Sequence, residues 1–146
     1  MSRRSAFVAA MAAYLVPSFV VAVIWHLQAF KPYYDQLEIY REDVLIPLGL
    51  ASMLIQAAIF AAWYAHQRPT GGVVASGLRF ALRAGSLAWS YTVLPVAAKF
   101  PMTSIGGFML IETGFTVVQW ALVGPLIALA WSRTKEPWSR TERSLI

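Results

Sequence analysis

The residues best suited to chemistry lie in the last long apolar segment of the chain. Glu112 is the only carboxylate well inside such a segment, and Thr116 and Gln119 follow it at i+4 and i+7. This spacing places the three side chains on one face of a helix. Polar groups are costly in a membrane, so the face should point into a helical bundle. The pattern predicts a proton site, a ligand anchor or a counter-ion to a cation. The alternative is a carboxyl group that only orients helix packing.

Two basic side chains lie near the ends of other apolar segments. His26 comes close to the end of the first, and Lys99 ends the third. We expect the Lys99 amine either to extend to the membrane interface or to reach toward Glu112. The second histidine, His66, falls at the opposite end of its own segment. Two imidazoles of one chain are therefore not expected to share a metal ion, and no metal site is predicted.

The stretch Ala22-Val23-Ile24-Trp25-His26 has a small residue four positions before the histidine. It resembles the pigment-ligating stretch of bacterial light-harvesting polypeptides, in which a flat macrocycle is bound at the imidazole. The resemblance covers five residues, and those polypeptides have a single span. It implies a pigment ligated by His26, and the alternative is a simple interfacial histidine.

Small and polar residues form stripes on two further segments. Gln56 follows Gly49 and Ser52 at seven and four positions, and Tyr91 adjoins a stripe of serines in the third segment. Such stripes usually hold membrane helices together. Gln56 and Tyr91 are nevertheless kept with Glu112 as candidate ligand-binding residues.

Four apolar segments must position these residues, at about 6–30, 44–65, 78–100 and 105–131. Each reaches the roughly 17 residues that a helix needs to cross the hydrocarbon. Their backbone groups must be satisfied internally in lipid, which favours helices. The sequence therefore predicts an all-α, single-domain bundle of four membrane-spanning helices over residues 1–146, ending in a basic tail at 132–146.

The composition supports a membrane protein and excludes several kinds of site. Of the 146 residues, 58% are hydrophobic and 13% charged, against about 45–50% and about 25% in a soluble domain. The lack of cysteine excludes disulfides, thiolate metal sites and a thiol nucleophile. Phosphate-loop, nucleophile-elbow and metalloprotease motifs are missing. We therefore expect that the protein is not an enzyme. A lipid-modifying reaction with His26 and Glu112 as acid and base is the least supported alternative.

The net charge of +5 results from 12 lysines and arginines against 7 aspartates and glutamates, and the basic residues lie at the ends of the apolar segments. One side of the predicted membrane would hold nine of these residues: Arg3, Arg4, Arg68, Arg79, Arg83, Arg133, Lys135, Arg140 and Arg143. The other side would hold three: Lys31, Arg41 and Lys99. Positive residues concentrate on the cytoplasmic side, so both termini are predicted to be cytoplasmic. Orientation accounts for the basic excess, and no nucleic-acid partner is predicted.

The stretch 19–30, the polar loop after it and the region from Gly85 to Gly124, which contains Glu112, resemble a group of small four-span bacterial membrane proteins of unknown function. The resemblance extends over most of the chain and has no specific motif. It implies a bacterial inner-membrane protein, and it implies no activity and no functional residue.

Two functions are consistent with these features. The first is a non-catalytic accessory or structural subunit that packs against a larger membrane complex, favoured by the small-residue faces and the lack of motifs. The second is binding or transport of a small ligand or a proton through an outward-facing polar vestibule around Glu112. Both imply contact with membrane lipids, and we expect lipid to be bound to the protein. Both also imply a homo-oligomer or a larger complex.

Overall fold

The computed structural model describes residues 1–41, 45–67 and 71–134, of which 85% are helical and none lies in a strand. The predicted all-α fold is confirmed. The elements are α1 (Arg3–Ile24), continued by a π-helical turn (Trp25–Ala29), then α2 (Lys31–Leu37), α3 (Ile46–His66), α4 (Val73–Thr92), α5 (Leu94–Lys99) and α6 (Ile105–Ser132). Beyond residue 134, the predicted basic tail lies outside the described residues.

Within the described ranges, three helices are long and apolar enough to cross a membrane: Arg3–Ala29, Ile46–His66 and Ile105–Ser132. They correspond to the first, second and fourth predicted segments. The third predicted segment, 78–100, is divided between α4 and α5, and α4 is not among the three. Pro95 explains the division, because it has no N–H to donate to the carbonyl of Tyr91 and its ring would clash there. Arg79 and Arg83 make the first half of α4 more polar.

The four long helices α1, α3, α4 and α6 pack in antiparallel order. Ser18 of α1 contacts Gln119 of α6, and Tyr64 of α3 contacts Ser76 of α4. The amino group of Met1 donates to the carbonyl of Arg133 at 3.2 Å. We call the end of the bundle that contains this contact the termini end, and the opposite end the α2 end.

The closest helix packing joins α4 to α6 and depends on two glycines. A Cβ atom at Gly77 would lie 2.5 Å from the Cα of Pro125, and one at Gly85 would lie 2.8 Å from Cγ of Trp120. Small residues allow membrane helices to approach closely. This contact sets the position of α6, and with it the position of Glu112.

Two buried clusters lie at different levels of the bundle. An aromatic cluster toward the termini end contains Tyr14, Phe60, Phe80 and Trp120. A second cluster at the α2 end contains Tyr34, Leu37, Val93 and Phe108. The polar side chains of the four long helices meet between these two clusters.

The polar segment after the first span contains a short helix, which the sequence analysis treated as loop. Pro32 lies in the first turn of α2, a position where its missing N–H costs nothing. Lys31 and Asp35 form an ion pair of 2.6 Å at i, i+4. Tyr34 and Leu37 are both buried, so α2 covers the α2 end of the bundle with one apolar face.

The first half of α3 lacks packing within the described chain. Residues 46–52 are exposed at every position, and the next two positions that turn inward are Met53 and Gln56. From Ala57 onward the helix is packed, with Phe60, Ala61 and Tyr64 buried. The helix therefore joins the bundle only over its second half.

Candidate functional site

A cavity of about 270 Å³ lies between the two buried clusters. All four long helices contribute to its lining: Tyr14, Ser18, Ala22, Met53, Gln56, Ala88, Tyr91, Thr92, Glu112, Phe115, Thr116, Gln119 and Trp120, with His26 from the π-helical turn. Pockets for small ligands usually hold about 300–1,000 Å³. The volume lies just below this range and suits a small organic molecule.

Glu112 is the centre of a hydrogen-bond network at the α2 end of the cavity. Its Oε1 lies 3.2 Å from Nε2 of His26 and accepts a hydrogen bond of 2.6 Å from the Tyr34 hydroxyl. The side chains of His26 and Glu112 are 17% and 14% exposed. Three separate elements thus meet on one carboxylate oxygen, which orients the carboxyl group with respect to the cavity.

The π-helical turn positions the imidazole of His26. Its Nδ1 lies 3.0 Å from the carbonyl oxygen of Ala22, one turn earlier in the same helix. The ring also packs edge-on against Phe115, with centroids 4.5 Å apart. π-Helical turns occur often at functional sites, where the extra residue changes the direction of a side chain.

The hydrogen-bond partners of His26 determine how many protons the pair holds. A carbonyl oxygen can only accept, so Nδ1 must carry a proton. Without a further proton, the lone pairs of Nε2 and Oε1 would face each other at 3.2 Å. One proton therefore lies on either Nε2 or Oε1. In both arrangements the two side chains together carry no net charge.

Tyr34 connects the helix α2 to this network. The residue is 1% exposed, and its ring stacks on Tyr40 with centroids 5.2 Å apart. Burial, and then the hydrogen bond to Glu112, raise the pKa of the Tyr34 hydroxyl well above its usual value. The hydroxyl consequently remains a donor to Glu112 at every physiological pH.

Toward the termini end, neutral polar groups complete the cavity. Nε2 of Gln119 donates to Oγ of Ser18 at 2.9 Å, and the Tyr14 hydroxyl donates to Oε1 of Gln56. These contacts join α1 to α6 and α1 to α3. Trp120, which is 4% exposed, closes this end as part of the aromatic cluster.

Two oxygen acceptors on the lining remain available. Oε2 of Glu112 and Oε1 of Gln119 have no hydrogen-bond donor among the residues that the structure describes. Glu112 and His26 are the only lining residues of the acidic and basic types, and no lysine or arginine belongs to the described lining. The cavity therefore offers acceptors to a hydrogen-bond donor, with aromatic surface around them.

The open side of the cavity lies next to the unpacked half of α3. Tyr91 and Thr92 of α4 are the most exposed lining residues, with Tyr91 at 45%. Met53 and Gln56 are half-buried on the facing helix. A ligand can therefore approach from the side of the bundle, between α3 and α4.

The structure brings together six of the seven residues singled out from the sequence: Glu112, Thr116, Gln119, His26, Gln56 and Tyr91 all line the cavity. Lys99 does not; it is exposed at the end of α5. Both nitrogens of His26 are engaged, so a pigment at the imidazole would have to displace Glu112 or the Ala22 carbonyl. In the described ranges, no three His, Cys, Asp or Glu side chains are grouped to hold a metal ion.

Sequence reasoning missed Tyr14, Ser18 and Tyr34. A signal for the first two was present, because Tyr14, Ser18, Ala22 and His26 follow one another at intervals of four. This spacing marks one helix face that leads to the histidine. Tyr34 had no such signal, since it lies in a short helix whose position depends on the rest of the bundle.

In the part of the chain that the structure describes, the fold and the site together define an all-α protein with three helices long and apolar enough to cross a membrane and a polar cavity between its helices. Comparison with protein-family models, with curated proteins and with solved structures finds no match to this chain. A function must therefore be argued from the site itself.

Proposed function

We propose that this chain is a bacterial inner-membrane protein with four spans and both termini in the cytoplasm, and that it binds a small ligand in the cavity around Glu112. The observation that carries the proposal is the convergence of six polar residues, chosen for their type and spacing alone, on one cavity. Residues that only hold helices together would be expected to fill the space between the helices. Here they surround a volume of about 270 Å³ and leave a carboxylate oxygen with no donor among the described residues.

The orientation supports an outward-facing site. With the termini in the cytoplasm, the α2 end lies on the outer side, and Glu112, His26 and Tyr34 lie in the outer half of the bundle. The lateral opening between α3 and α4 then faces the outer leaflet. We infer a binding protein that takes its ligand from that leaflet or from the adjacent interface.

The test is to identify small molecules that remain with the purified protein. The full chain is reconstituted in lipid nanodiscs, and small molecules extracted from them are identified by mass spectrometry, with empty nanodiscs as the blank. Ala88→Phe should fill the cavity, because Ala88 is part of its lining. Ala121→Phe is the matched control, because Ala121 is exposed on the outer surface of α6.

We expect a small molecule to be enriched with the native chain and with Ala121→Phe, and to be lost with Ala88→Phe. Equal amounts in all three preparations, or no enrichment over empty nanodiscs, would contradict a ligand-binding function.

The unpacked half of α3 favours a second candidate, an accessory subunit of a larger complex. Residues 46–52 are all exposed in the part of the chain that the structure describes, and Leu48 is 67% exposed. Another membrane protein could pack there in place of lipid. Native mass spectrometry from native-lipid particles tests this idea: a stoichiometric second subunit supports it, and a lone monomer opposes it.

A further inference from the structure

We propose that the ligand of this cavity is a small organic amine, whose ammonium group binds Glu112 in exchange for the proton held between Glu112 and His26. This inference rests on the proposed function, since it names the chemical class of the ligand at the same site. It follows from the free acceptors, the aromatic walls and the number of protons in the pair.

The free polar groups of the cavity select a donor. Oε2 of Glu112 and Oε1 of Gln119 lack hydrogen-bond donors within the described structure. Both belong to the lining, as do Phe115 and Trp120. A ligand with several N–H groups and an apolar body matches acceptors and aromatic rings together. A carboxylate or phosphate ligand would meet acceptors and no lysine or arginine in the described lining.

The site attracts a cation strongly only after the proton shared by His26 and Glu112 has left. While the proton lies between Nε2 and Oε1, the pair is neutral and attracts an ammonium group weakly. When the proton leaves, His26 keeps the proton on Nδ1, and Glu112 becomes an uncompensated carboxylate. One positive charge then enters as the ammonium and one leaves as the proton, so the net charge of the half-buried site is unchanged.

Among the described residues, the titratable side chains next to this pair are Tyr34 from α2 and Tyr40 from the segment after it, and Tyr14 and Tyr91 line the same cavity. The Tyr34 hydroxyl already donates to Oε1 and keeps its proton, and the ring of Tyr40 stacks on it. Tyrosines are neutral at physiological pH. The proton that is exchanged therefore belongs to His26 and Glu112.

The lateral opening indicates that the amine also has an apolar part. A ligand that enters between α3 and α4 passes Tyr91, Met53 and the exposed apolar side chains of α3. A short aromatic or alkyl amine partitions into the membrane interface and can take this route. Inorganic ammonium or a metal ion gains nothing from it.

The test compares three probes of one shape: 2-phenylethylamine, the neutral 2-phenylethanol and the anionic phenylacetate. Binding to the full chain in phosphatidylcholine nanodiscs is measured by titration calorimetry, in buffers with different heats of ionisation, between about pH 5 and pH 8, where histidine titrates. Glu112→Gln removes the charge, and His26→Gln removes the proton partner. Asp35→Asn is the control, because Asp35 is an exposed acid on the same end, paired with Lys31.

We expect the amine to bind the native chain at least tenfold more tightly than the alcohol, with phenylacetate weakest. Amine binding should release up to one proton, and alcohol binding none. Glu112→Gln should abolish the preference for the amine, His26→Gln should abolish proton release, and Asp35→Asn should change neither. The preference for the amine over the alcohol is measured on the native chain alone, so this result remains decisive even if a variant does not fold.

Other outcomes separate this inference from the proposed function. If the amine and the alcohol bound equally well and Ala88→Phe abolished both, the ligand would not be specifically an amine, but the binding site would be established. Tightest binding of phenylacetate would also overturn the amine. Amine binding without proton release at any pH would overturn the exchange. No binding of any probe, while a native small molecule is lost from Ala88→Phe, would reject the amine class and retain the proposed function.

Discussion

Nε2 of His26 and Oε1 of Glu112 lie 3.2 Å apart, although 86 positions separate them in the chain. The contact joins the π-helical turn after α1 to the middle of α6, and Tyr34 adds a third element to the same oxygen. It is the point where the α2 end of the bundle is held together by polar groups. The same contact holds the proton on which the proposed exchange depends.

The His26–Glu112 contact should show strong energetic coupling. His26→Leu leaves the half-buried carboxyl group with one donor fewer, and Glu112→Leu removes the partner of both His26 and Tyr34. Residues in contact in one network commonly couple by about 0.5–3 kcal/mol. We expect a coupling energy of about 1–3 kcal/mol in a double-mutant cycle, measured by reversible unfolding in mixed detergent micelles.

The matched control for this cycle is the ion pair of Lys31 and Asp35. Its two side chains are 57% and 58% exposed, and such pairs contribute about 0–1 kcal/mol. A cycle with Lys31→Met and Asp35→Asn should therefore give a much smaller coupling. Equal couplings in the two cycles would show that His26 and Glu112 do not act as a unit.

Tyr34 should resist ionisation in alkaline solution. Burial, and then the hydrogen bond to Glu112, raise its pKa above the ordinary value of about 10. Absorbance titration at alkaline pH should therefore give the same number of ionising tyrosines in the native chain and in Tyr34→Phe up to about pH 11.

The same shift has a consequence for stability. The unfolded chain loses the Tyr34 proton above about pH 10, whereas the folded chain keeps it, so the unfolded state binds fewer protons there. The contribution of Tyr34 to the free energy of unfolding is complete below that pH and falls as the pH rises through it. If Tyr34→Phe showed the same decline as the native chain, a buried Tyr34 proton would not be its cause.

The sequence predicted most residues of the site, but not that His26 and Tyr34 both contact Glu112. Glu112, Thr116 and Gln119 were identifiable because polar residues inside apolar segments are rare and the helical period assigns them a face. His26 was paired with Glu112 only in the lipid-modifying alternative, because their direct contact depends on how α1 and α6 pack. Tyr34 belongs to a short helix in a polar segment, where no apolar periodicity marks the buried side. The division at Pro95 was missed because proline is tolerated within many membrane helices.

The approach of α4 to α6 should tolerate no side chain at Gly77. A Cβ atom there would lie 2.5 Å from the Cα of Pro125, and a backbone atom cannot move aside easily. Gly77→Ala should reduce the free energy of unfolding by about 1–3 kcal/mol, although alanine favours helices. Gly49→Ala is the control, because nothing lies within 4 Å of its added Cβ.

Gly49→Ala should be neutral or stabilising by up to about 1 kcal/mol through helix propensity. The free energy of unfolding in mixed micelles checks both variants. Equal effects of the two substitutions would mean that α4 and α6 are not in close contact at Gly77.

The hydrogen bond from Tyr14 to Gln56 should control the motion of the unpacked half of α3. Gln56 lies where α3 leaves the bundle, and residues 46–52 beyond it are exposed. Tyr14→Phe keeps the aromatic packing and removes the bond, so amide hydrogen exchange should become faster in residues 46–56. Tyr64→Phe, which removes the buried bond to Ser76, should leave exchange in that range unchanged. Faster exchange in both variants would indicate general destabilisation.

The number of spans can be determined by labelling single cysteines, because the chain has none of its own. α4 packs antiparallel against α6, and the Met1 amino group contacts Arg133. These contacts are the ones expected if α4 crosses the membrane with the other three long helices, as the proposed four-span topology has it. Asp35→Cys should react with a membrane-impermeant maleimide in intact cells. Ser2→Cys and Ser132→Cys should react only after permeabilisation, as the distribution of lysine and arginine predicts.

Three spans would place Ser2 and Ser132 on opposite sides of the membrane. Labelling of only one of them from outside would therefore refute the four-span topology and, with it, the outward orientation of the cavity.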